Sequence, residues 1–218
     1  MRASIIWLAG IVLTPIVVFG QSRPPSGWKD LSIGPPERTT ITSSSIDSEG
    51  ISVKQLLSIA YETPQSRILG PEWLDSERRS IVAIPDDTNK ANFKSLLRTL
   101  LAERFKVVTR IEKRKMPVYV MKRRADSPLK LMPSETEGAC RADEGLFAGF
   151  GTIQSIGVCF EWLLNRPVVD ETGLSGHFRF EIQYPGSPAV LLTAVRDLGL
   201  QLIPAERELE VLVVGVGK

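Results

Sequence analysis

Four stretches of the chain carry apolar residues at helical spacing. Their apolar faces consist of Val53, Leu56, Leu57, Ala60 and Tyr61 in the first, Phe93, Leu96, Leu97, Leu100 and Leu101 in the second, Ile153, Ile156, Phe160 and Leu163 in the third, and Leu191, Ala194, Val195 and Leu198 in the fourth. A stripe that recurs every three or four residues is typical of a helix with one buried face. Ser52, Thr152 and Ser187 stand directly before three of these stretches and can cap the first turn.

Strand patterns lie between and after these helices. Phe178, Phe180, Ile182 and Tyr184 alternate with polar or charged neighbours, which predicts a half-buried strand. Further strands are predicted at 39–46, 80–84, 105–111, 116–121, 146–150, 200–203 and 209–214. The charged segment EKRK at 112–115 predicts a turn that folds the strands on either side of it into a hairpin. The last two strands are predicted to pair in the same way.

The order of caps, helices, turns and strands occurs twice in the chain. Residues 52–85 overlay 152–185 at an offset of 100, and residues 104–121 overlay 197–214 at an offset of 93. We therefore predict an α+β fold of two similar β-α-β-α-β-β units packed as a tandem pseudo-repeat. Each unit of about 70 residues is near the lower size limit for a stable core, so the two are expected to pack together. The alternative is two unrelated α+β segments of similar order.

The local composition of the chain predicts an N-terminal signal peptide, a linker and the boundaries of the two units. Residues 1–20 combine Arg2 with an apolar run and small residues at Val18 and Gly20, which predicts a secretory signal peptide cut before Gln21. An uncleaved membrane anchor is the alternative. Residues 21–37 are predicted to be a linker with a short strand near 28–33. The first unit then covers 38–125, a connector 126–145 and the second unit 146–218.

Two motifs carry a resemblance to a known family. They are GPEWLD at 70–75 and RPVVDETGL at 166–174, and the likeness extends over about 28–216. The chain resembles an exported family of unknown function that is abundant in soil Acidobacteria of the Solibacter type. The family has no established activity, but similar domains are attached to membrane metallopeptidases of the antibiotic-sensor kind, which implies a sensing or binding role in the envelope. Family members usually carry an aspartate where this chain has Arg179, and Ser80 breaks the similar pattern in the first half, so a ligand held by those acids is in doubt.

The chain contains two cysteines, Cys140 and Cys159. An even count in an exported protein favours a disulfide. Closing a loop of this length would stabilise the fold by about 3 kcal/mol. The alternative is two free, buried thiols, since Cys159 borders the apolar face of a helix.

Catalytic and metal-binding patterns are not found in the sequence. His177 is the single histidine, and neither cysteine has a second ligand at zinc-site spacing. Asp170, Ser175 and His177 are too close in sequence for a triad built from separate elements. No glycine-rich turn opens a helix as a phosphate loop does. We therefore predict no catalytic, metal or cofactor site. The alternative is a hydrolase whose site is built from loops.

Positive charge is concentrated in one part of the chain. Residues 104–130 contain ten basic residues against Glu112 and Asp126, although the whole chain has a net charge of only +2. The candidate binding surface consists of Arg110, Lys113, Arg114, Lys115, Lys122, Arg123 and Arg124. It is suited to an envelope protein or an anionic polymer. The alternative is a solvated hairpin whose lysines discourage edge pairing. Nucleic acid is not an expected partner of an exported protein, and membrane contact is expected only through an uncleaved signal.

The second family motif contains a glycine turn formed by Asp170, Thr172, Gly173 and Leu174. We interpret it as structural, with Gly173 at a positive φ that other residues avoid; a shallow ligand site on this loop is the alternative. Taken together, the sequence predicts an exported protein of the periplasm or exterior. Its predicted role is a non-catalytic module that binds or senses a ligand or a protein.

Overall fold

The computed structural model describes residues 28–34, 39–42, 45–86, 92–135, 138–143, 145–184 and 186–217. The predicted signal peptide lies outside these residues. Among the helices that are described, none combines the length and the apolar character needed to cross a membrane.

The fold is mixed α+β, as predicted, with three four-stranded sheets. The strands are β1 (Trp28–Gly34), β2 (Thr39–Thr42), β3 (Ser45–Ser52), β4 (Ile68–Leu69), β5 (Arg78–Pro85), β6 (Val107–Arg123), β7 (Met132–Pro133), β8 (Ala139–Asp143), β9 (Leu146–Thr152), β10 (Val168–Asp170), β11 (His177–Gln183) and β12 (Leu200–Val216). The helices are α1 (Val53–Tyr61), α2 (Trp73–Ser76), α3 (Phe93–Phe105), α4 (Ile153–Leu164) and α5 (Pro188–Asp197), and a 3-10 turn covers Gln65–Arg67. The strand orders are β1-β5-β3-β2, β10-β6-β12-β4 and β7-β11-β9-β8.

Side-chain caps fix the starts of α1 and α4. The hydroxyl of Ser52 accepts a hydrogen bond from the amide of Gln55 at 3.1 Å, and the Gln55 side chain accepts one from the Ser52 amide at 2.8 Å. This reciprocal pair is a capping box. Thr152 accepts a hydrogen bond from the amide of Ser155 at 3.2 Å. Both helices therefore begin where the capping residues in the sequence predict.

The two predicted hairpins at the ends of the units are wrong. β6 and β12 are uninterrupted strands of 17 residues, and they pair antiparallel from Val107 opposite Val216 to Arg123 opposite Leu200. The charged segment 112–115 continues as a strand and does not turn. In the register of the two strands, Lys113 lies opposite Glu210 and Lys115 opposite Glu208, which favours this pairing. The second predicted unit consequently has the order β9-α4-β10-β11-α5-β12 and not β-α-β-α-β-β. Residues 45–123 follow the same order with the short helix α2 inserted between β4 and β5.

In each half of the chain, a short strand pairs with the long strand of the other half. We use N-terminal half for residues 45–123 and C-terminal half for residues 146–216. β4 pairs parallel with β12, with Ile68 opposite Leu212. β10 pairs parallel with β6, with Val168 opposite Tyr119. The central sheet is therefore built from both halves.

Segments predicted as linker and connector also contribute strands. β1 pairs antiparallel with β5. The predicted connector 126–145 supplies β7 and β8, which flank the third sheet by pairing with β11 and β9. The free edges of β11 and β9 are thereby paired over part of their length, and these two strands lie inside the third sheet.

Two separate cores lie at the two ends of the long strands. The first packs α1 and α3 with β3 and β5 and takes Val107, Leu212 and Val214 from the long strands. The second packs α4 and α5 with β9 and β11 and takes Met121 and Leu200. The pair β6 and β12 therefore runs from one core to the other, and its charged middle is exposed between them.

Candidate ligand-binding cleft

A cleft of about 580 Å³ lies between the C-terminal end of α1, the 3-10 turn and α4. Both halves of the chain contribute to it. The lining side chains that bear on its chemistry are Ser58, Gln65, Asp75, Val158, Trp162 and Asn165, with Glu161 as its floor. We call this feature the inter-half cleft. Its size is within the range of about 300–1,000 Å³ that is typical of ligand pockets.

The floor of the cleft is a buried carboxylate with four hydrogen bonds. Glu161 is 1% exposed. Its Oε1 accepts from Nε of Arg67 at 3.0 Å and from the hydroxyl of Ser66, and its Oε2 accepts from Nη2 of Arg67 at 2.8 Å and from the amide of Val168 at 3.1 Å. A buried charge is tolerated only when it is paired and hydrogen-bonded, and both conditions are met here. Ser66 and Arg67 come from the other half, so this cluster fastens the two halves together.

Glu161 was not predicted as a site residue. Its partner Arg67 is 94 residues away in the sequence, and sequence separation gives no sign of their contact. One local signal was present. Ile153, Gly157 and Glu161 follow at intervals of four, which puts this carboxylate on the buried face of α4. An acidic residue on a buried helical face requires a partner.

One wall of the cleft is apolar and exposed. Val158 and Trp162 lie one helical turn apart on α4 and are 41% and 54% exposed. The Trp162 ring lies 6.3 Å from the ring of Phe147, which is fully buried in the second core. Phe147 therefore restrains the orientation of the indole while leaving much of it open to solvent. A restrained aromatic surface of this kind suits ligand binding.

The rest of the described lining is polar, and both of its acidic side chains are paired with a base. Asp75 is paired with Nζ of Lys54 at 2.9 Å, and the charge of Glu161 is met by Arg67. The side chains of Ser58, Gln65 and Asn165 make no hydrogen bond to any residue that the structure describes. Their polar groups are available to a ligand.

A disulfide joins Cys140 to Cys159, which confirms the predicted pairing. Cys140 lies on β8 at the rim of the cleft, and Cys159 is buried within α4. Their Cα atoms are 5.6 Å apart. The alternative of two free thiols is therefore wrong. The bond attaches β8 to the helix that carries Trp162, and it supports that wall of the cleft.

The predicted basic surface lies elsewhere. Its residues Arg110, Lys113, Arg114, Lys115, Lys122, Arg123 and Arg124 occupy the straight strand β6 and the position after it, and none of them lines the inter-half cleft. Five of the seven are paired with acids: Arg110 and Arg114 with Glu112, Lys115 with Glu206, Lys122 with Glu171 and Arg124 with Asp126. Hydrogen bonds from Arg110 and then Arg114 lower the pKa of Glu112. These pairs reduce the positive field, and binding at this surface stays a prediction.

Two side-chain hydrogen bonds close the glycine turn after β10. Oδ1 of Asp170 accepts from the amide of Thr172 at 2.9 Å, and the Thr172 hydroxyl accepts from the amide of Leu174 at 3.1 Å. Gly173 has a φ of +70°, and Leu174 packs against the second core. Aspartate and threonine side chains commonly close turns in this way. Asp170 also accepts a hydrogen bond from the Gln154 side chain at 3.1 Å, so its carboxylate is engaged on both oxygens.

His177, Arg179 and Ser80 do not line the cleft. His177 lies on β11 opposite Thr152, and Arg179 lies two residues further along the same strand, opposite Phe150. The Ser80 hydroxyl is buried in β5 without a hydrogen-bond partner among the described residues. Within the described ranges there is no group of three or more His, Cys, Asp or Glu residues arranged to hold a metal ion.

The chain belongs to the family described as "Protein of unknown function (DUF3738)", whose model matches residues 54–215. No curated protein and no solved structure matches the chain. The family match agrees with the resemblance in being to a family without a known activity. The link to soil Acidobacteria stays a prediction.

Proposed function

We propose that the protein is a non-catalytic binding module of the cell envelope that holds its ligand in the inter-half cleft. The observation that carries this proposal is the pairing of an exposed, restrained Trp162 with a floor whose carboxylate is already fully engaged. Such a floor keeps the cleft in one shape, and the aromatic wall offers contact area at little cost in side-chain entropy. Both are properties of a preorganised binding site.

The four hydrogen bonds of Glu161 favour binding over catalysis. A general base needs an oxygen that can reach a substrate or a nucleophile. Both oxygens of Glu161 are occupied, and three of the four bonds come from Arg67 and the Val168 backbone. The Ser66 hydroxyl does donate to this carboxylate, and this contact is the one observation that favours the alternative, a hydrolase with Ser66 as nucleophile.

The disulfide supports the proposed location in the envelope. The Cys140–Cys159 bond is of the kind that persists in oxidising compartments such as the periplasm or the cell exterior. The apolar N-terminal segment read as a signal peptide is consistent with the same location.

We further propose that the two halves arose by tandem duplication. The offset of 100 relates Ile68 to Val168, and the offset of 93 relates Tyr119 to Leu212. The parallel pair Ile68–Leu212 is then the counterpart of the pair Val168–Tyr119. Lys115 and Glu208 are also 93 residues apart and lie directly opposite each other, as expected when each long strand pairs with its own counterpart about a two-fold axis.

The same relation accounts for the position of the cleft. Ser58 and Val158 are counterparts at the offset of 100, as are Gln65 and Asn165, and all four line the cleft. A cleft lined by both members of such pairs lies on the two-fold axis. The first half has Glu62 where the second has Trp162. On this proposal, the two walls of the cleft have diverged, and one has gained the aromatic surface.

The test compares two variants that each remove an exposed apolar side chain. The full chain, Trp162→Ala and Ile111→Ala are screened by thermal shift and calorimetry against soluble peptidoglycan fragments, neutral oligosaccharides and short peptides. Ile111 is 70% exposed on β6 and lies outside the cleft. We expect binding that is lost in Trp162→Ala and kept in Ile111→Ala. Turnover of any of these compounds that disappears in Ser66→Ala would instead support the hydrolase.

A further inference from the structure

Each charged side chain that is described in the lining of the inter-half cleft has a partner of opposite charge within the protein. Asp75 is held by Lys54, and Glu161 is held by Arg67. Among the described residues, no lysine or arginine lines the cleft. An anionic ligand would therefore find no cationic partner there, and a cationic ligand would compete with Lys54 for Asp75 and with Arg67 for Glu161. Since a buried or half-buried ion that loses its partner is costly, the cleft favours a neutral ligand.

The uncharged polar groups of the lining fit a ligand rich in hydroxyl groups. Gln65 and Asn165 each present an amide with donors and an acceptor, and Ser58 presents a hydroxyl that both donates and accepts. In the described chain these three side chains have no competing hydrogen-bond partner. An apolar ligand would leave them desolvated and unpaired, which lowers affinity.

Trp162 supplies the complementary apolar contact. Its exposed indole stands beside Val158 and is restrained by Phe147. A flat aromatic ring packs well against the C–H face of a pyranose, whose hydroxyl groups point outward around the ring. We propose that the inter-half cleft binds a neutral saccharide stacked on Trp162, with Gln65 and Asn165 bonding its hydroxyl groups. This inference rests on the binding function proposed above and names the class of ligand.

The experiment uses the full chain and three kinds of probe. The neutral probes are the trisaccharide of N-acetylglucosamine and cellotriose, the charged probe is an oligosaccharide of uronic acids, and the non-saccharide probe is a peptide that alternates leucine with serine. Binding is followed by tryptophan fluorescence and calorimetry. We expect saturable binding of at least one neutral trisaccharide, weaker binding of the uronic acid probe, and an affinity about tenfold or more lower in Trp162→Ala.

Matched variants separate a contact with ligand from a loss of structure. Trp162→Phe keeps an aromatic face and should retain most of the affinity, and a Gln65→Ala/Asn165→Ala double variant should weaken saccharide binding several-fold while its melting temperature stays near that of the parent. Ile111→Ala should bind as the parent does. Saccharide binding that is equal in Trp162→Ala overturns the inference. If only the peptide binds, and its binding is lost in Trp162→Ala, the ligand is not a saccharide but the proposed binding function is supported. If no probe binds in a manner that depends on Trp162, both fall.

Discussion

Arg67 and Glu161 form a two-bond ion pair that joins the halves of the molecule. Nε and Nη2 of Arg67 lie 3.0 and 2.8 Å from the two carboxylate oxygens. The two side chains are not equally buried, because 25% of the Arg67 side chain is exposed and only 1% of the Glu161 side chain is. This contact therefore adds to the strand pairing that joins the halves, and it helps to fix the shape of the cleft floor.

Because Glu161 is more deeply buried than Arg67, we expect the removal of either partner to cost a different amount of stability. Arg67→Met leaves a fully buried carboxylate without its counterion and should destabilise the fold by about 3 kcal/mol or more. Glu161→Gln leaves a guanidinium that water can still reach, and it should cost less. Because the two groups are in contact, the double variant should lose less stability than the sum of the single losses, by about 1 kcal/mol or more. Urea unfolding measures all three, and additive losses would show that the pair contributes no coupling.

The helices were predictable because their signals are local. The caps Ser52 and Thr152 stand next to the helices that they begin, and the apolar faces repeat within a single helix. The pairing of Cys140 with Cys159 was predictable for a similar reason, since two cysteines allow one intramolecular bond.

The central sheet and the cleft depend on contacts that are distant in the sequence. The charges of 112–115 resemble a turn when they are considered alone, and only the register with β12 shows that Lys113 and Lys115 face Glu210 and Glu208. β4 and β10 contain two and three residues, too few for an alternating pattern to be recognised. Trp162 lies off the apolar face formed by Ile153, Ile156, Phe160 and Leu163, but nothing near it in the sequence indicates that Ser58 and Gln65 lie across a cleft from it.

The absence of a turn within β6 can be tested by introducing a sequence there that favours a turn. The substitution Lys113→Asn with Arg114→Gly places Asn-Gly where the sequence predicted a hairpin. Asn-Gly stabilises a two-residue hairpin turn, but asparagine and glycine are both unfavourable inside a strand. We expect the double variant to lose about 1–2 kcal/mol of unfolding free energy in urea.

The matched control for this variant is Lys113→Thr with Arg114→Thr. It removes the same two charges, yet threonine is well suited to a strand. Its stability should stay within about 0.5–1 kcal/mol of the parent. A gain in stability with Asn-Gly and a loss with the two threonines would show that residues 112–115 turn in solution.

Gly173 provides a test of backbone conformation without a packing effect. Its φ is +70°, and no atom lies within 4 Å of the position of an added Cβ. An added Cβ would therefore meet no atom beyond the adjacent residues, and its cost would come from the backbone conformation. Gly173→Val should lower stability by more than about 1 kcal/mol, because β-branched residues avoid this region. Gly173→Asn should cost much less, since asparagine tolerates it. Equal melting temperatures for the two variants would contradict the turn conformation.

Glu171 links the glycine turn to the long strands and predicts a dependence of stability on pH. Its carboxylate is paired with Arg207 at 2.7 Å and with Lys122 at 3.3 Å. The hydrogen bond from Arg207 is the main cause of its lowered pKa, and Lys122 acts in the same direction. A carboxyl group whose pKa is lower in the folded state stabilises the fold above its unfolded pKa of about 4.3 and ceases to do so as the pH falls through the folded value.

The measurement compares the parent with Glu171→Gln from pH 7 to pH 3 at low salt. The parent should melt at a higher temperature than Glu171→Gln at neutral pH, and the difference should shrink below about pH 5 as the carboxylate is protonated. Raising the ionic strength should also reduce it, because the pair is exposed and screened. Glu103→Gln is the control, since Glu103 is exposed on α3 and forms no ion pair with any described residue. A difference between parent and Glu171→Gln that stays constant across this pH range would show that the ion pairs of Glu171 do not stabilise the fold.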